Sequence, residues 1–103
     1  LVREGVYSLN DLPYYLSHKV AERFKIIDRG YIREGYWADC VLVDLERKYT
    51  VTKENTAYFC GWSPFEGETF NSKVISTFVN GRHAYNEGKI LETNLGVQLQ
   101  FDR

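Results

Sequence analysis

The sequence predicts an α+β fold in which short N-terminal helices precede a small antiparallel, β-sandwich-like sheet. Near the start, leucines recur at the spacing of one helix face: Leu9, Leu12 and Leu16. Later, Asn80-Gly81 separates two β-prone runs, and this pair suits a two-residue hairpin turn because both positions need a positive φ. We therefore expect a helical segment over residues 1–26 and a β domain over residues 27–103.

The predicted helices are short. Gly5 is expected to end a helix that enters from upstream. Ser8 and Asp11 have the spacing of a capping box, in which the Ser8 hydroxyl accepts the backbone N–H of Asp11. Pro13 is expected to make the following helix irregular, since it lacks an N–H donor. Ser17 is a suitable cap for a second short helix.

Several further segments have β character. Gly30 to Gly35 is predicted to be extended, and the apolar run from Ala38 to Asp44 is typical of a strand buried on both faces. The hairpin around Asn80-Gly81 is expected to place Phe78 opposite His83. Residues 49–52 are β-prone, residues 56–59 are a weaker candidate, and the tail over residues 91–103 is either a late strand or frayed.

Composition excludes several classes of protein. The 103 residues are 44% hydrophobic and 26% charged, which is typical of a soluble globular domain, and no apolar run is long enough for a membrane helix. The net charge of -1, with acids among the scattered bases, gives no reason to expect nucleic-acid binding. No segment resembles a secretory signal, so we expect a cytoplasmic protein with free thiols. The absence of Met, including at position 1, indicates a piece of a longer chain.

Metal ligation is not predicted for this segment. Its histidines, His18 and His83, lie far apart, and a metal site needs several converging ligands. We expect both to be structural, His18 near a helix end and His83 in the hairpin. Asp39 and Asp44 fall on opposite faces of a strand, so they form no carboxylate pair, and Asp39 is expected to bind backbone N–H groups of the turn at residues 35–37.

No nucleophile is predicted either. Cys60 and Ser63 are candidates by residue type alone, because no base is placed beside either of them. Cys40 is expected to be a small core residue. Trp62 and Phe65 lie in a loop that is expected to pack against another domain, although ligand binding by stacking is an alternative. We therefore predict no catalytic, cofactor-binding or metal-binding residue in this chain.

Three motifs resemble the C-terminal part of the amidohydrolase superfamily, over about residues 1–90. Residues 30–44 match a pattern that runs from a glycine-bounded turn through Ala-Asp into an apolar strand ending in Asp. Residues 77–85 match its Thr-x-Val-Asn-Gly hairpin, and residues 62–67 are similar to the Ser-Pro-Phe-x-Gly loop of dihydroorotases. The family is identified on these motifs as dihydroorotase.

The resemblance implies a parent enzyme in which this segment completes a composite domain. Dihydroorotases interconvert dihydroorotate and N-carbamoyl-aspartate in pyrimidine biosynthesis, using zinc held on the strands of a catalytic barrel. None of their ligands matches a position in this chain, so zinc is expected in the full-length parent and not here. The missing partners are then the barrel and the N-terminal strands, and an isolated chain with exposed strand edges is expected to form a homodimer or to be partly disordered.

Other functions remain open at this point. The parent is alternatively a hydantoinase- or allantoinase-like enzyme. A further alternative is that the chain is an aromatic-rich β module that binds a ligand or protein. Another is that it belongs to an inactive homologue that acts as a scaffold. A His-x-His near the start of the upstream sequence, with an Asp on the last barrel strand, would favour the enzyme over these last two.

Overall fold

A computed structural model describes residues 2–102. Its first regular element is a helical stretch in three consecutive segments: α1 (Asp11–Pro13), a π-helical turn (Tyr14–His18) and α2 (Lys19–Phe24). Before it, residues 2–5 form a hydrogen-bonded turn in which Gly5 has a φ of 74°. The helix predicted to enter from upstream includes Leu1, which is outside the described residues.

The start of the stretch differs from the predicted capping box. The backbone N–H of Ser8 donates to Asp11 Oδ2 at 2.8 Å, whereas the N–H of Asp11 bonds the Ser8 carbonyl at 3.1 Å and not its hydroxyl. Pro13 is the third residue of the stretch, where a backbone N–H would have no helical partner, so its ring costs no hydrogen bond.

The two predicted helices are in fact one stretch. Ser17 lies inside the π-helical turn and is not a cap, so that prediction was wrong. The predicted irregularity is confirmed by the wider turn that follows Pro13. The stretch ends where Lys25 adopts a left-handed conformation, with φ 55° and ψ 46°. Its N–H bonds the Glu22 carbonyl, and the N–H of Ile26 bonds the Ala21 carbonyl at 2.9 Å, which is a Schellman termination.

Between Lys25 and Asp102, the structure describes six strands. They are β1 (Cys40–Asp44), β2 (Tyr49–Thr50), β3 (Thr69–Phe70), β4 (Lys73–Val79), β5 (Arg82–Asn86) and β6 (Lys89–Ile90). One sheet has the order β1-β4-β5-β6, and β2 pairs with β3 in a second, two-stranded sheet. The paired strands described are antiparallel, and the predicted α+β class is confirmed.

The Asn80-Gly81 hairpin is present as predicted. Asn80 has a φ of 53° and Gly81 a φ of 79°, so both turn residues are left-handed. The ring of His83 stacks on that of Phe78, with centroids 4.5 Å apart, which confirms the predicted cross-strand pair. A second turn of the same kind, Glu87-Gly88, joins β5 to β6 and was not predicted.

The apolar run that contains β1 forms a strand, but the strand is not buried. Val41, Leu42 and Val43 are 55%, 58% and 44% exposed. Val41 and Val43 point to one face and Leu42 to the other, so the described residues leave both faces of β1 uncovered, and β1 also lies at one end of its sheet. The prediction of a strand buried on both faces was therefore wrong for this chain.

Three other segments with predicted β character contain no named strand among the described residues. Residues 30–35 form no strand and end in a turn, closed by a bond from the Tyr36 N–H to the Arg33 carbonyl. Residues 56–59 are not a strand either. The tail makes a single β-bridge, between Phe101 and Ile26, and the N–H of Ile27 bonds the Gln100 carbonyl at 2.9 Å.

By contacts, the described residues divide into two compact units. The first contains residues 2–39, 79–82 and 95–102, and the second contains residues 40–78 and 83–94. Among residues 2–102, Ala21 is the buried apolar side chain, and Ser63 and Ser76 are the buried polar ones. The predicted domain boundary after residue 26 stays a prediction. Across the same residues, no helix has the length and apolarity that a membrane span requires.

Candidate functional site

The helical stretch holds Gly30 through three neighbouring side chains, which we call the Gly30 cluster: Ser17, His18 and Ala21. The Gly30 carbonyl accepts a bond from Ser17 Oγ at 2.9 Å and from His18 Nδ1 at 2.6 Å. Gly30 has a φ of 88°, and a Cβ at this position would collide with the Ala21 methyl group. Only glycine satisfies both conditions, because it has no Cβ and tolerates a positive φ.

His18 is therefore a half-buried residue within the helical stretch, and one of its ring nitrogens is already engaged. Its ring also stacks on Tyr31, with centroids 4.1 Å apart and planes 7° apart. The guanidinium of Arg33 lies 3.8 Å from the centroid of the same tyrosine ring, within the range of a cation–π contact. These contacts fit the structural role that the sequence predicted for His18.

A chain of exposed polar groups continues from Tyr31. Its hydroxyl donates to the Glu22 carboxylate, which also accepts a bond from Lys19 Nζ at 2.9 Å. The Tyr31 hydroxyl and then Lys19 hold the pKa of Glu22 below its ordinary value. The same hydrogen bond to Glu22 raises the pKa of Tyr31, and Glu22 also raises the pKa of Lys19. The effect is local stabilisation of the charged carboxylate.

Asp39 is the centre of a second group, which we call the Asp39 cluster: Arg29, Asp39 and Asn80. Asp39 Oδ1 accepts the Asn80 backbone N–H at 2.8 Å, and Oδ2 pairs with the Arg29 guanidinium. Arg29 Nη1 also donates to Asn80 Oδ1 at 2.8 Å. Asp39 was expected to bind the turn at residues 35–37. Instead it binds the hairpin turn, because the fold brings residue 80 beside residue 39.

Neighbouring groups complete the Asp39 cluster. The Gly81 N–H bonds the Ala38 carbonyl at 2.9 Å, and Asn80 Nδ2 donates to the Leu95 carbonyl at 2.5 Å. The Arg29 guanidinium lies 5.0 Å from the ring centroid of Trp37. The Ala-Asp and Asn-Gly pairs that stood out in the sequence are thus joined to each other. Arg29 was missed, because in the sequence Asp28-Arg29 is typical of a solvated pair of opposite charges.

The remaining polar candidates lie in separate places. Asp44 Oδ1 accepts the backbone N–H of Glu46 at 3.0 Å, at the end of β1. Within the described part of the chain, His83 Nε2 is buried without a hydrogen-bond partner. Cys40, expected in the core, is half-buried on β1, and Cys60 is exposed. No two of these groups are paired in a way that would activate a nucleophile.

The loop around Trp62 is a strongly apolar surface feature. Trp62 is 58% exposed and Phe65 is 53% exposed, and the Phe65 ring contacts Phe70 edge to face with centroids 6.1 Å apart. Ser63, by contrast, is buried, and its Oγ accepts the Phe65 N–H at 3.2 Å. That bond shapes the loop and gives Ser63 a structural role.

Zinc does not fit the residues that the structure describes. Between Val2 and Asp102, no group of three or more His, Cys, Asp or Glu side chains converges as a metal site requires. His18 Nδ1 is committed to the Gly30 carbonyl, and Asp39 is committed to Asn80 and Arg29. The two clusters therefore serve to hold backbone segments together.

Comparison with known proteins supports the amidohydrolase superfamily that the motifs indicated. No family model matches the chain. It is 40% identical over 94 residues to an allantoinase of Desulfitobacterium hafniense, and 39% identical over 87 residues to a dihydroorotase of Clostridium acetobutylicum. These matches cover 91% and 84% of this chain, but 21% and 20% of the relatives. A dihydroorotase of Pyrococcus horikoshii is 31% identical over 95% of this chain.

A solved structure agrees with these relatives. The L-hydantoinase (dihydropyrimidinase) of Arthrobacter aurescens superposes with a TM-score of 0.79 and 26% identity, over 88% of this chain and 20% of that one. The chain belongs to the amidohydrolase superfamily. Its resemblance to the C-terminal part of such proteins is confirmed, and it spans about a fifth of the length of the curated relatives it matches.

Within this amidohydrolase segment, the signature residues have architectural roles. Gly30 lies against the helical stretch, and Asp39 holds the turn at Asn80. Both roles follow from geometry in the chain itself. The motifs that resemble the family therefore mark positions where two backbone segments are fixed to each other.

Proposed function

We propose that the parent of this chain is a zinc-dependent cyclic amide hydrolase of the dihydroorotase type, and that this segment is a non-catalytic part of it. The relatives named dihydroorotase carry the proposal. Five of them match at 30–39% identity over 84–95% of this chain. The cytoplasmic location and the pyrimidine pathway belong to the same proposal.

The polar chemistry of the segment supports a non-catalytic role. His18, Asp39 and Ser63 each make hydrogen bonds that fix the local backbone. A catalytic acid or base needs a free lone pair or proton directed at a substrate, and a zinc ligand needs partners that converge with it. The engagement of these side chains with the backbone, and the lack of three converging ligands among the described residues, support a non-catalytic role.

The role that we assign to the segment is to complete the parent's structure. Its apolar side chains on β1 and in the Trp62 loop are exposed, and such surfaces usually mark contact with another domain. The proposed partners are the barrel and the N-terminal strands of the parent. Co-expression of this chain with the rest of the parent should give a stoichiometric complex, and failure to form one would contradict this role.

A second candidate is a parent of the allantoinase or hydantoinase type. The 40% identity to an allantoinase and the structural match to an L-hydantoinase favour it. Because we propose no residue of this segment to contact the reacting ring, we do not expect its residues to discriminate between the three substrates. In this proposal, residues of the parent's barrel determine which of the three substrates is hydrolysed.

Assays of the full-length parent test both candidates. With zinc restored, its kcat/KM is measured on dihydroorotate, allantoin and a hydantoin. Highest activity on dihydroorotate is the expected result, preference for either other substrate selects the second candidate, and inactivity on all three supports the scaffold homologue instead.

Calorimetric zinc titration of the isolated 103-residue chain tests the non-catalytic role separately. We expect no stoichiometric tight binding. Tight binding of one zinc per chain would refute the proposal, whatever the parent's substrate is.

A further inference from the structure

The hairpin turn Asn80-Gly81 is a chemically labile pair. An asparagine side chain is open to attack by the backbone nitrogen of the next residue, and glycine favours this attack because it has no side chain to hinder the approach. The other asparagines of the chain all precede residues with a side chain: Asn10, Asn55, Asn71, Asn86 and Asn94. The residue pair that suits a two-residue turn therefore also carries a reactive amide.

The reaction of such a pair has two steps. The Gly81 nitrogen loses its proton to a solvent base and bonds to Asn80 Cγ. The bond from Cγ to Nδ2 then breaks, and the leaving nitrogen takes a proton from water and departs as ammonia. A five-membered succinimide ring remains, and water opens it at either carbonyl. The product is aspartate, or isoaspartate when the main chain continues through the former side-chain carbonyl.

Both backbone nitrogens of the pair are held by hydrogen bonds. The Gly81 N–H, which is the nucleophile, donates to the Ala38 carbonyl at 2.9 Å. The Asn80 N–H donates to Asp39 Oδ1 at 2.8 Å. A donated hydrogen bond makes an amide proton harder to remove, as protection from hydrogen exchange shows. The Gly81 nitrogen must also turn toward Cγ, and that rotation breaks its bond to Ala38.

The side-chain amide of Asn80 is held as well. Its Nδ2 donates to the Leu95 carbonyl, and its Oδ1 accepts a bond from Arg29 Nη1 at 2.8 Å. The Arg29 bond polarises the amide carbonyl and would by itself favour attack, so protection comes from the fixed positions of Cγ and of the Gly81 nitrogen. All of these groups lie in the first compact unit. The protection is therefore internal to that unit.

We propose that Asn80 is a latent deamidation site that the Asp39 cluster keeps unreacted. Reaction requires the turn to open, so its rate follows the fraction of time for which the turn is open. The product cannot restore the closed turn, because a carboxylate at position 80 has no proton to donate to the Leu95 carbonyl and places one acceptor against another. The same behaviour is expected whichever cyclic amide the parent hydrolyses.

Peptide mass spectrometry measures the rate, as the conversion of the Asn80 amide to an acid. The 103-residue chain and a synthetic peptide of residues 75–85 are incubated side by side in mildly alkaline buffer. An isolated hairpin is marginally stable at best, so the peptide gives the rate of the unprotected pair. We expect the chain to react at least about a hundredfold more slowly. Equal rates would overturn the proposal, and products without isoaspartate would contradict attack by Gly81.

Asp39→Ala tests the part played by the cluster. It removes the acceptor of the Asn80 N–H and should raise the deamidation rate at Asn80 about tenfold. Asn71-Ser72, in the second unit, is the internal control, and its rate should stay unchanged. A rise at both sites, or at neither, would contradict a specific role of Asp39.

Gly30→Ala separates the cluster from overall stability. It introduces a collision with Ala21 but leaves the four hydrogen bonds at Asn80-Gly81 in place. Its effect on the deamidation rate should therefore be smaller than that of Asp39→Ala. A larger rise in Gly30→Ala would show that global unfolding, and not the Asp39 cluster, controls the reaction, and the proposal would be refuted.

Discussion

The two halves of the segment from Gly30 to Asp44 behave differently, although they belong to one sequence motif. Residues 30–39, the glycine half, are fixed by contacts with other parts of the chain, through the Gly30 cluster and the Asp39 cluster. Cys40–Asp44, the strand half, has one neighbouring strand and exposed apolar side chains. The glycine half is thus held in place by contacts within this chain, whereas the apolar side chains of the strand half are left exposed.

This difference separates two kinds of stabilisation. The glycine half depends on steric fit and directed hydrogen bonds, which a single substitution disrupts. The strand half depends on burial, which the chain does not provide. We therefore expect substitutions in the glycine half to lower the free energy of unfolding strongly. Substitutions in the second unit, which contains the strand half, should lower it only slightly.

Gly30→Ala should have the largest effect. The new methyl group would collide with Ala21, and alanine disfavours the φ of 88°, so we expect a loss of about 2–4 kcal/mol in the free energy of unfolding. Urea denaturation followed by circular dichroism measures it. Gly35→Ala is the control, since Gly35 has a φ of 82° but no atom within 4 Å of a new Cβ. Equal losses in both variants would show that the contact with Ala21 contributes nothing.

Comparable ion pairs in the two units should differ in strength. Asp39→Asn removes the charge that faces Arg29, and the side chains of Arg29 and Asp39 are 11% and 39% exposed. We expect a cost of about 1–3 kcal/mol in urea denaturation. Glu87→Gln removes the charge that faces Arg47, and both of those side chains are 45% exposed. Its cost should be under about 1 kcal/mol. If Glu87→Gln proved the more costly, the comparison between the units would fail.

Lys25→Gly should stabilise the chain. Lys25 ends the helical stretch with a φ of 55°, a conformation that costs a non-glycine residue about 1 kcal/mol. We expect a gain of up to about 1 kcal/mol, measured as a higher urea midpoint. Arg23→Gly, two residues earlier and inside α2, should lower the midpoint, because glycine weakens a helix interior. A lower midpoint for Lys25→Gly would contradict the strain argument.

The smallest effect should be a change in the titration of Glu22. The Tyr31 hydroxyl is the main cause of its lowered pKa, so Tyr31→Phe should raise the pKa toward the ordinary value of 4.5. Carbon NMR of the Glu22 carboxyl group measures it. Because the folded-state pKa lies below the unfolded one, this carboxylate stabilises the fold above pH 4.5 and loses that contribution as the pH falls through its folded-state pKa.

Lys19→Met separates the two partners of Glu22. Lys19 is the second cause of the lowered pKa, so its loss should raise the pKa less than Tyr31→Phe does. The opposite order would show that the ion pair, and not the tyrosine hydroxyl, has the larger effect on the pKa of Glu22.

Tyr31 itself has a raised pKa, so its contribution to the stability of the fold is present below pH 10 and is lost as the pH rises through the folded-state value.

Local chemistry made much of the fold predictable. The Asn80-Gly81 turn was predictable because few residue pairs accept two positive φ angles, and the pairing of Phe78 with His83 follows from a two-residue loop. The apolar run at β1 was recognisable as a strand because of its composition. Glu87-Gly88 was missed, although glycine after a short strand was a usable signal.

The candidate clusters were less predictable. Asp39 and Asn80 are 41 residues apart, and no local pattern indicates that one accepts the other's N–H. Arg29 carries no signal beyond its charge. The π-helical turn was expected only as an irregularity after Pro13, because a missing N–H donor does not specify which irregular turn forms.

The sequence by itself determined the Asn80-Gly81 turn, the strand at β1 and the membership of a superfamily, because these depend on residues close together in the chain and on motifs. Tertiary structure decided which groups meet and which surfaces stay open. An apolar run predicts that a strand will be buried somewhere, but burial depends on what lies on its far side. For β1 the described chain places nothing there, and so the same residues that would stabilise a covered sheet form an exposed edge.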